Sequence, residues 1–172
     1  MLLRPFQPED AAAVAILANN WNIARMTTRI PHPYSRDLAD RWIASLAADW
    51  LSGVEITFCI ELDGEPIGAV GLRRSATQTY ELGYWLGEPW WGRGLATEVA
   101  RRAVQFAFGE LGADRLTAGY FVDNPASGRV LEKCGFRYIG EGVEHSAARG
   151  EVAAHRNLEC RLDEKEDQAE RS

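Results

Sequence analysis

Two glycines at the start of a helix, Gly92 and Gly94, carry the clearest chemical meaning in this sequence. They close the stretch YELGYWLGEPWWGRGLAT, Tyr80 to Thr97. Tyr80 to Leu86 is rich in aromatic and aliphatic residues and predicts a strand. Glu88-Pro89 breaks it, and a long helix is expected from about Leu95. Glycines let the backbone curl so that consecutive N–H groups point the same way. The helix start adds unpaired N–H groups and the positive end of its dipole. The backbone of Gly92, Arg93, Gly94, Leu95, Ala96 and Thr97 therefore predicts a phosphate or pyrophosphate pocket. It is not a Walker loop, because Gly94 is followed by Leu95 rather than Lys-Ser/Thr. It is not a dinucleotide fingerprint either, because the third glycine position is Thr97.

Trp91-Gly92-Arg93-Gly94-Leu95-Ala96 resembles the pyrophosphate loop Q/R-x-x-G-x-G/A of the GNAT superfamily of acetyl-CoA-dependent N-acetyltransferases. Trp91 departs from the Gln or Arg of many members. An aromatic there is similar to the RimJ/RimL branch, which acetylates protein α-amino groups. About thirty residues downstream, Asn124-Pro-Ala-Ser127-Gly-Arg-Val-Leu-Glu-Lys133-Cys-Gly135-Phe136 resembles the family segment N-x-x-S-x-x-(V/A)-L-E-K-x-G-F. The two motifs stand in the family's order, and the resemblance covers about residues 2–161. It implies an α+β fold of the GNAT type: a mixed, mostly antiparallel sheet of about seven strands, with helices on both faces. The sheet should splay between the Tyr80–Leu86 and Arg115–Phe121 strands. Acetyl-CoA is the implied cosubstrate, with no metal. Its pantetheine arm would lie in the gap, against the backbone of Tyr84, Trp85 and Leu86 and against Asn124. The alternative for Asn124 is a turn residue before Pro125, but the match of the whole segment favours the pantetheine role. Arg129 is placed to reach the adenosine phosphates or to be solvated on its helix, and Arg93 to supply a cation or to be a solvated loop arginine.

Acetyl transfer needs a neutral amine, a stabilised oxyanion and a protonated leaving thiolate. Backbone N–H groups of the Tyr84–Leu86 strand would serve the oxyanion. By resemblance, Ser127 protonates the sulfur; its other reading is a helix cap. Tyr84 and Tyr138 are further proton donors, both read as core. Glu81 alternates with Gly83 and Trp85 and could deprotonate the amine, directly or through water, or simply sit beside an arginine. Cys134 takes a place that is usually aliphatic in the family and should face the core, which speaks for direct transfer over an acetyl-cysteine. Trp21, His32, Tyr34 and the Phe136–Leu162 hairpin are the candidates for the acceptor groove. The expected acceptor is a protein or peptide N-terminal α-amine. The rivals are a small amine (a polyamine, amino sugar or antibiotic) and a non-catalytic acyl-CoA-binding module. A homodimer is compatible with the resemblance.

These groups must be positioned by the rest of the chain. Its 172 residues, 46% hydrophobic and 26% charged, suit one domain over residues 1–162. No apolar run is long enough to span a membrane, and MLLRPFQPED has no signal core, so a cytoplasmic protein is expected. Cys59, Cys134 and Cys160 are scattered, and the three histidines lack metal-ligand spacing. The net charge of −6 argues against a nucleic-acid surface. Half of it lies in residues 163–172, an acidic tail expected to be disordered. Pro8-Glu9-Asp10 opens a helix to about Ala18, and Trp21 to Thr28 adds a helical turn or two. Ser35 caps a helix to about Leu51, on which Leu38, Trp42, Leu46 and Trp50 predict one buried stripe. Glu55–Leu62, Pro66–Arg73 and Tyr80–Leu86 form an antiparallel meander turning at Asp63-Gly64. The helix after the glycine loop, carrying Leu95, Val99, Ala103 and Phe106 on one face, makes Arg115–Phe121 parallel to Tyr80–Leu86. A short helix from Ala126 to Lys133 and a hairpin of Phe136–Glu144 with Val152–Leu162 complete the chain.

Overall fold

The computed structural model describes residues 1–162 and contains a single seven-stranded sheet. The strands are β1 (Leu2–Arg4), β2 (Glu55–Leu62), β3 (Glu65–Ala76), β4 (Thr79–Leu86), β5 (Arg115–Phe121), β6 (Arg137–Ser146) and β7 (Glu151–Arg161), in the order β1-β2-β3-β4-β5-β7-β6. The meander β2–β3–β4 turns at Asp63 and Gly64, whose φ angles of 54° and 87° suit the tight primed turn of a hairpin. The β4–β5 pair is parallel and every other pair is antiparallel. The final hairpin inserts its second strand, β7, beside β5 and leaves β6 at the edge. The expected tail, residues 163–172, lies outside the described residues. Among the described residues no helix is long and apolar enough to cross a membrane.

Helices cover both faces. Helix α4 (Leu95–Gly109) and helix α5 (Pro125–Lys133) pack Val99, Ala103 and Leu131 onto Leu82, Leu116 and Leu158. On the other face α1 (Ala11–Ala18) and α3 (Arg36–Ser52) share a smaller core of Val14, Ala39, Ile43 and Tyr34. A short helix, α2 (Trp21–Ala24), follows α1. The stripe expected on α3 is shifted by one residue. Ala39 (0% exposed) and Ile43 (8%) are its most buried positions, Leu38, Trp42 and Leu46 are half-buried, and Trp50 is 37% exposed. A row spaced by four residues advances about 40° per step on a helix of 3.6 residues per turn, so it winds off the buried face. Trp50 instead meets Phe58 edge-on, with ring centroids 5.2 Å apart.

One feature of the sheet positions everything else. β4 and β5 pair only at Thr79–Arg115, Tyr80–Leu116 and Glu81–Thr117, although both strands continue. Meanwhile β3 holds β4 as far as Gly68–Leu86, and β7 holds β5 as far as Phe121–His155. Each half of the sheet keeps its own ladder, and the sheet opens between them. Gly68 is part of this hold, because a Cβ there would overlap the Trp85 carbonyl oxygen. Backbone cannot move aside as a side chain can. Gly68→Ala should therefore destabilise the protein by about 1–3 kcal/mol, read as a lower urea midpoint at unchanged slope. An unshifted midpoint would show that the β3–β4 contact has slack.

Candidate active site

The opening between β4 and β5 leads into a groove of about 1510 Å³. One drug-sized ligand occupies about 300–1,000 Å³, so there is room for a cofactor and an acceptor together. The groove floor, on the α1–α3 side of the sheet, is lowered by Gly71 of β3, Gly83 of β4 and Gly119 of β5. Residues 25–31 and Tyr34 line its opposite side.

At one end stands the glycine loop. Gly92 and Gly94 have φ of +72° and +79°, the left-handed region that L-residues avoid. A Cβ on either would meet nothing within 4 Å, so the backbone conformation, not crowding inside the protein, calls for glycine. Gly94 is the N-cap of α4 and supplies no side chain to its free N–H groups. Thr97 is an exception to the expected cradle, since its N–H is already bonded to the Gly94 carbonyl at 3.1 Å. That tight first turn leaves the helix-start N–H groups before it without a helical partner. Trp91 serves the loop structurally: its indole Nε1 donates to the Leu86 carbonyl at 2.8 Å, tying the loop to the end of β4. The Leu86 carbonyl is thereby already engaged. Arg93 lies beside Gly94, and Arg129 on α5 lines the same groove.

The other motif meets β4 from the far side of the gap. Asn124 is the N-cap of α5, and its Oδ1 accepts from the Ser127 N–H at 3.4 Å. The cap, expected of Ser127, is thus Asn124, whose amide NH2 makes no hydrogen bond among the described residues. Ser127 itself is not the cap. Its Oγ lies 3.0 Å from the Tyr84 hydroxyl. Burial pushes the Tyr84 phenol up to about 12 against the opposing pull of that hydrogen bond, so Tyr84 remains a neutral donor. The sequence reading treated Tyr84 as core and missed this pair. Only the alternation of Tyr84 with Leu82 and Leu86, toward α4 and α5, could have signalled it. Cys134 is 4% exposed, its Sγ 3.7 Å from the Thr97 carbonyl, and belongs to the core as expected. Tyr138, expected in the core, is 56% exposed, because β6 is the edge strand.

The α1–α3 side of the groove carries charges of both signs. Glu81 is exposed on the groove floor, in register with Arg73 of β3 and Thr117 of β5. Arg29 holds Glu55 through two bonds of 2.7 and 2.9 Å. Burial pushes the Glu55 carboxyl up, but the Arg29 guanidinium outweighs it and holds the group below its ordinary range. Tyr34 is buried and lines the groove, whereas Trp21 and His32 meet edge-on, ring centroids 5.6 Å apart. His155, part of the hairpin expected at the acceptor groove but not singled out there, lines the groove over Gly119.

Comparison with known proteins agrees with this geometry. A family described as the acetyltransferase (GNAT) domain matches residues 1–137. The N-acetyltransferase YoaA of Bacillus subtilis (strain 168) is 31% identical over 144 residues, covering 81% of each chain. Spermidine N(1)-acetyltransferase of Escherichia coli (strain K12) is 28% identical over 146 residues, covering 81% of this chain and 74% of the relative. In fold, the chain is similar to Mycobacterium smegmatis RimJ in complex with CoA-disulfide, at TM-score 0.85 and 24% identity over 94% of this chain and 82% of that one.

Two outcomes follow for the site. Gly94→Val places a β-branched side chain at φ +79° and in the ligand's approach. Calorimetry should find acetyl-CoA affinity lost while the fold survives, and unchanged affinity would remove the loop from the binding site. Ser127→Ala and Tyr84→Phe should each lower turnover by up to about 10²–10⁴-fold. The double variant should lose little more than either, since the two share one hydrogen bond. With Tyr84 at about 12, this donor should cause no alkaline loss of rate over about pH 7 to 10. Wild-type turnover in both single variants would exclude the pair.

Proposed function

The chain belongs to the GNAT acetyltransferases and is an acetyl-CoA-dependent N-acetyltransferase, and from that premise we propose that its acceptor is a single α-amine, such as a protein or peptide N-terminus. The observation that carries this reading is the charge balance of the acceptor half. Glu55 is spent on Arg29, Glu81 stands in register with Arg73, and Glu144 is the remaining acidic side chain that lines the groove. A polyamine with several ammonium groups needs several uncompensated carboxylates. A lone α-amine needs none, because its pKa of about 7.7–8.0 leaves roughly a tenth neutral at pH 7. A lysine amine at about 10.4 is neutral in well under one part in a thousand. The floor glycines also favour an extended chain, since they let an acceptor backbone approach the sheet closely.

In this reading the loop from Gly92 to Ala96 holds the pyrophosphate, assisted by Arg93 and Arg129. The Asn124 amide and the free backbone of Tyr84 and Trp85 hold the pantetheine. N–H groups of the same strand receive the oxyanion, where fixed dipoles need no reorganisation. Ser127 gives its proton to the departing sulfur and is resupplied by Tyr84. Transfer is direct, because Cys134 is buried in the core beneath α4. The spermidine acetyltransferase relative supports the rival of a small amine acceptor.

Matched peptides decide the acceptor, one with a free N-terminus and blocked lysine, the other reversed, with spermidine as a third probe. The free N-terminus should react fastest across about pH 7 to 9. Faster acetylation of the lysine peptide or of spermidine would sink the α-amine reading and leave the family untouched.

A further inference from the structure

We propose that His155 is the general base of the reaction, accepting through Nε2 the proton that the acceptor nitrogen loses. This rests on the acetyltransferase reading above and assigns a role that it left open. His155 is 9% exposed on β7, paired with Phe121 of β5. Its ring meets the Phe121 ring edge-on, with centroids 5.4 Å apart. Its Nδ1 lies 3.1 Å from Asn157 Oδ1. A carboxamide oxygen only accepts, so Nδ1 carries the hydrogen and Nε2 keeps its lone pair. No hydrogen bond to Nε2 forms among the described residues, and the side chain opens on the groove.

The position of the ring is set by a missing side chain. A Cβ on Gly119 would overlap His155 Cε1 and stand 2.8 Å from Nε2. The imidazole therefore lies directly over Gly119. β4 and β5 part after Glu81–Thr117, and Gly83 and Gly119 are the next residues of that face on the two sides of the gap. The ring thus stands at the lip of the gap, on the face opposite Tyr84 and Ser127. An amine crossing the groove floor reaches the thioester from His155's side, and the sulfur leaves toward Ser127. The C–N bond forms, the nitrogen's proton goes to Nε2, the C–S bond breaks, and the thiolate takes the Ser127 proton. Solvent then exchanges a proton from the imidazolium to the Tyr84–Ser127 pair, restoring both.

Glu81 is the weaker candidate. The His155 ring is fixed by Asn157 and Phe121, whereas Glu81 is exposed at the end of the β4–β5 ladder. Glu81 also stands opposite Arg73, and its charge acts on Arg29. The charged and titratable groups around His155 come from every neighbouring element. Glu144 and His145 of β6 and Glu81 of β4 share the groove. Glu159 shares the face of β7. Arg149 lies over the Phe121 ring, 4.7 Å from its centroid, and is paired with Asp123, which also pairs with Arg25.

The test combines kinetics with nitrogen-15 NMR on the whole chain. The probes are an alanine-terminated peptide with blocked lysines and spermidine. His155→Gln should lower kcat by about 10²-fold or more with acetyl-CoA affinity unchanged. Added imidazole should restore part of the rate in His155→Ala, which a purely structural role would not allow. Gly119→Ala should displace the ring and reproduce the kcat loss. Wild-type kcat in His155→Gln, or a loss that simply tracks weaker acetyl-CoA binding, overturns the proposal. If the peptide is inert and spermidine reacts, the α-amine reading fails and the same comparison on spermidine decides His155. If neither probe reacts, the NMR decides: hydrogen on Nδ1 with a bare Nε2 upholds the base, and hydrogen on Nε2 overturns it.

Discussion

The parting of β4 from β5 after three registered pairs is the constraint on which this structure depends. A parallel pair that stops early leaves backbone groups without a ladder partner, and buried backbone groups must be bonded to something. A helix or loop could have covered them. Here they border a groove instead, which is a standing invitation to an extended ligand that pairs like a strand. The opening survives because neither half of the sheet relies on it. β3 grips β4 to its last residue, and β7 does the same for β5. The core under α4 and α5 spans both halves, joining Leu82 of β4 to Leu116 and Leu158, and the core under α1 and α3 lies on the opposite face.

That arrangement separates two proton-handling problems in space. Alternation along β4 sends Tyr84 to the α4–α5 face and Glu81, Gly83 and Trp85 to the other. The donor pair of Tyr84 and Ser127 therefore sits on the side where a leaving thiolate would emerge. The acceptor side holds glycines, the Arg29–Glu55 ion pair and an imidazole.

Much of this was legible in the sequence, and the reasons differ by element. The glycine loop was readable because positive φ restricts residue choice locally, so Gly92 and Gly94 announce themselves. The parallel β4–β5 pair followed from the helix between them. The Asn124-to-Phe136 segment was recognisable as a string. What was hidden involved partners distant in sequence. The Tyr84–Ser127 bond spans 43 positions. The engagement of Trp91 with Leu86 is local, yet the indole's target depends on how the turn at Glu88-Pro89 folds back. The stripe on α3 failed for a geometric reason, since a period of four drifts off a face that turns every 3.6 residues. Tyr138 failed because strand order decides exposure, and nothing in the hairpin says which of its strands will be the edge.

His155 was hidden for both reasons, and the same hairpin shows why its placement is firm. The turn between β6 and β7 is fastened to the segment that lines the groove opposite the sheet. Arg149 Nε donates to the Arg25 carbonyl at 2.7 Å, and its guanidinium also binds Asp123, just beyond β5, at 2.9 Å. Ser146 Oγ and the Ala147 N–H reach the carbonyls of Thr27 and Thr28 at 3.2 and 3.0 Å. Sheet, hairpin and covering segment are thus locked together at one corner. Arg149 over Phe121, and Phe121 against His155, continue that lock to the imidazole. The width of the acceptor groove and the position of His155 are consequently set by one set of contacts. A change that loosens the Arg25–Asp123–Arg149 corner would widen the groove and shift the ring together, so acceptor fit and proton transfer are coupled through the hairpin.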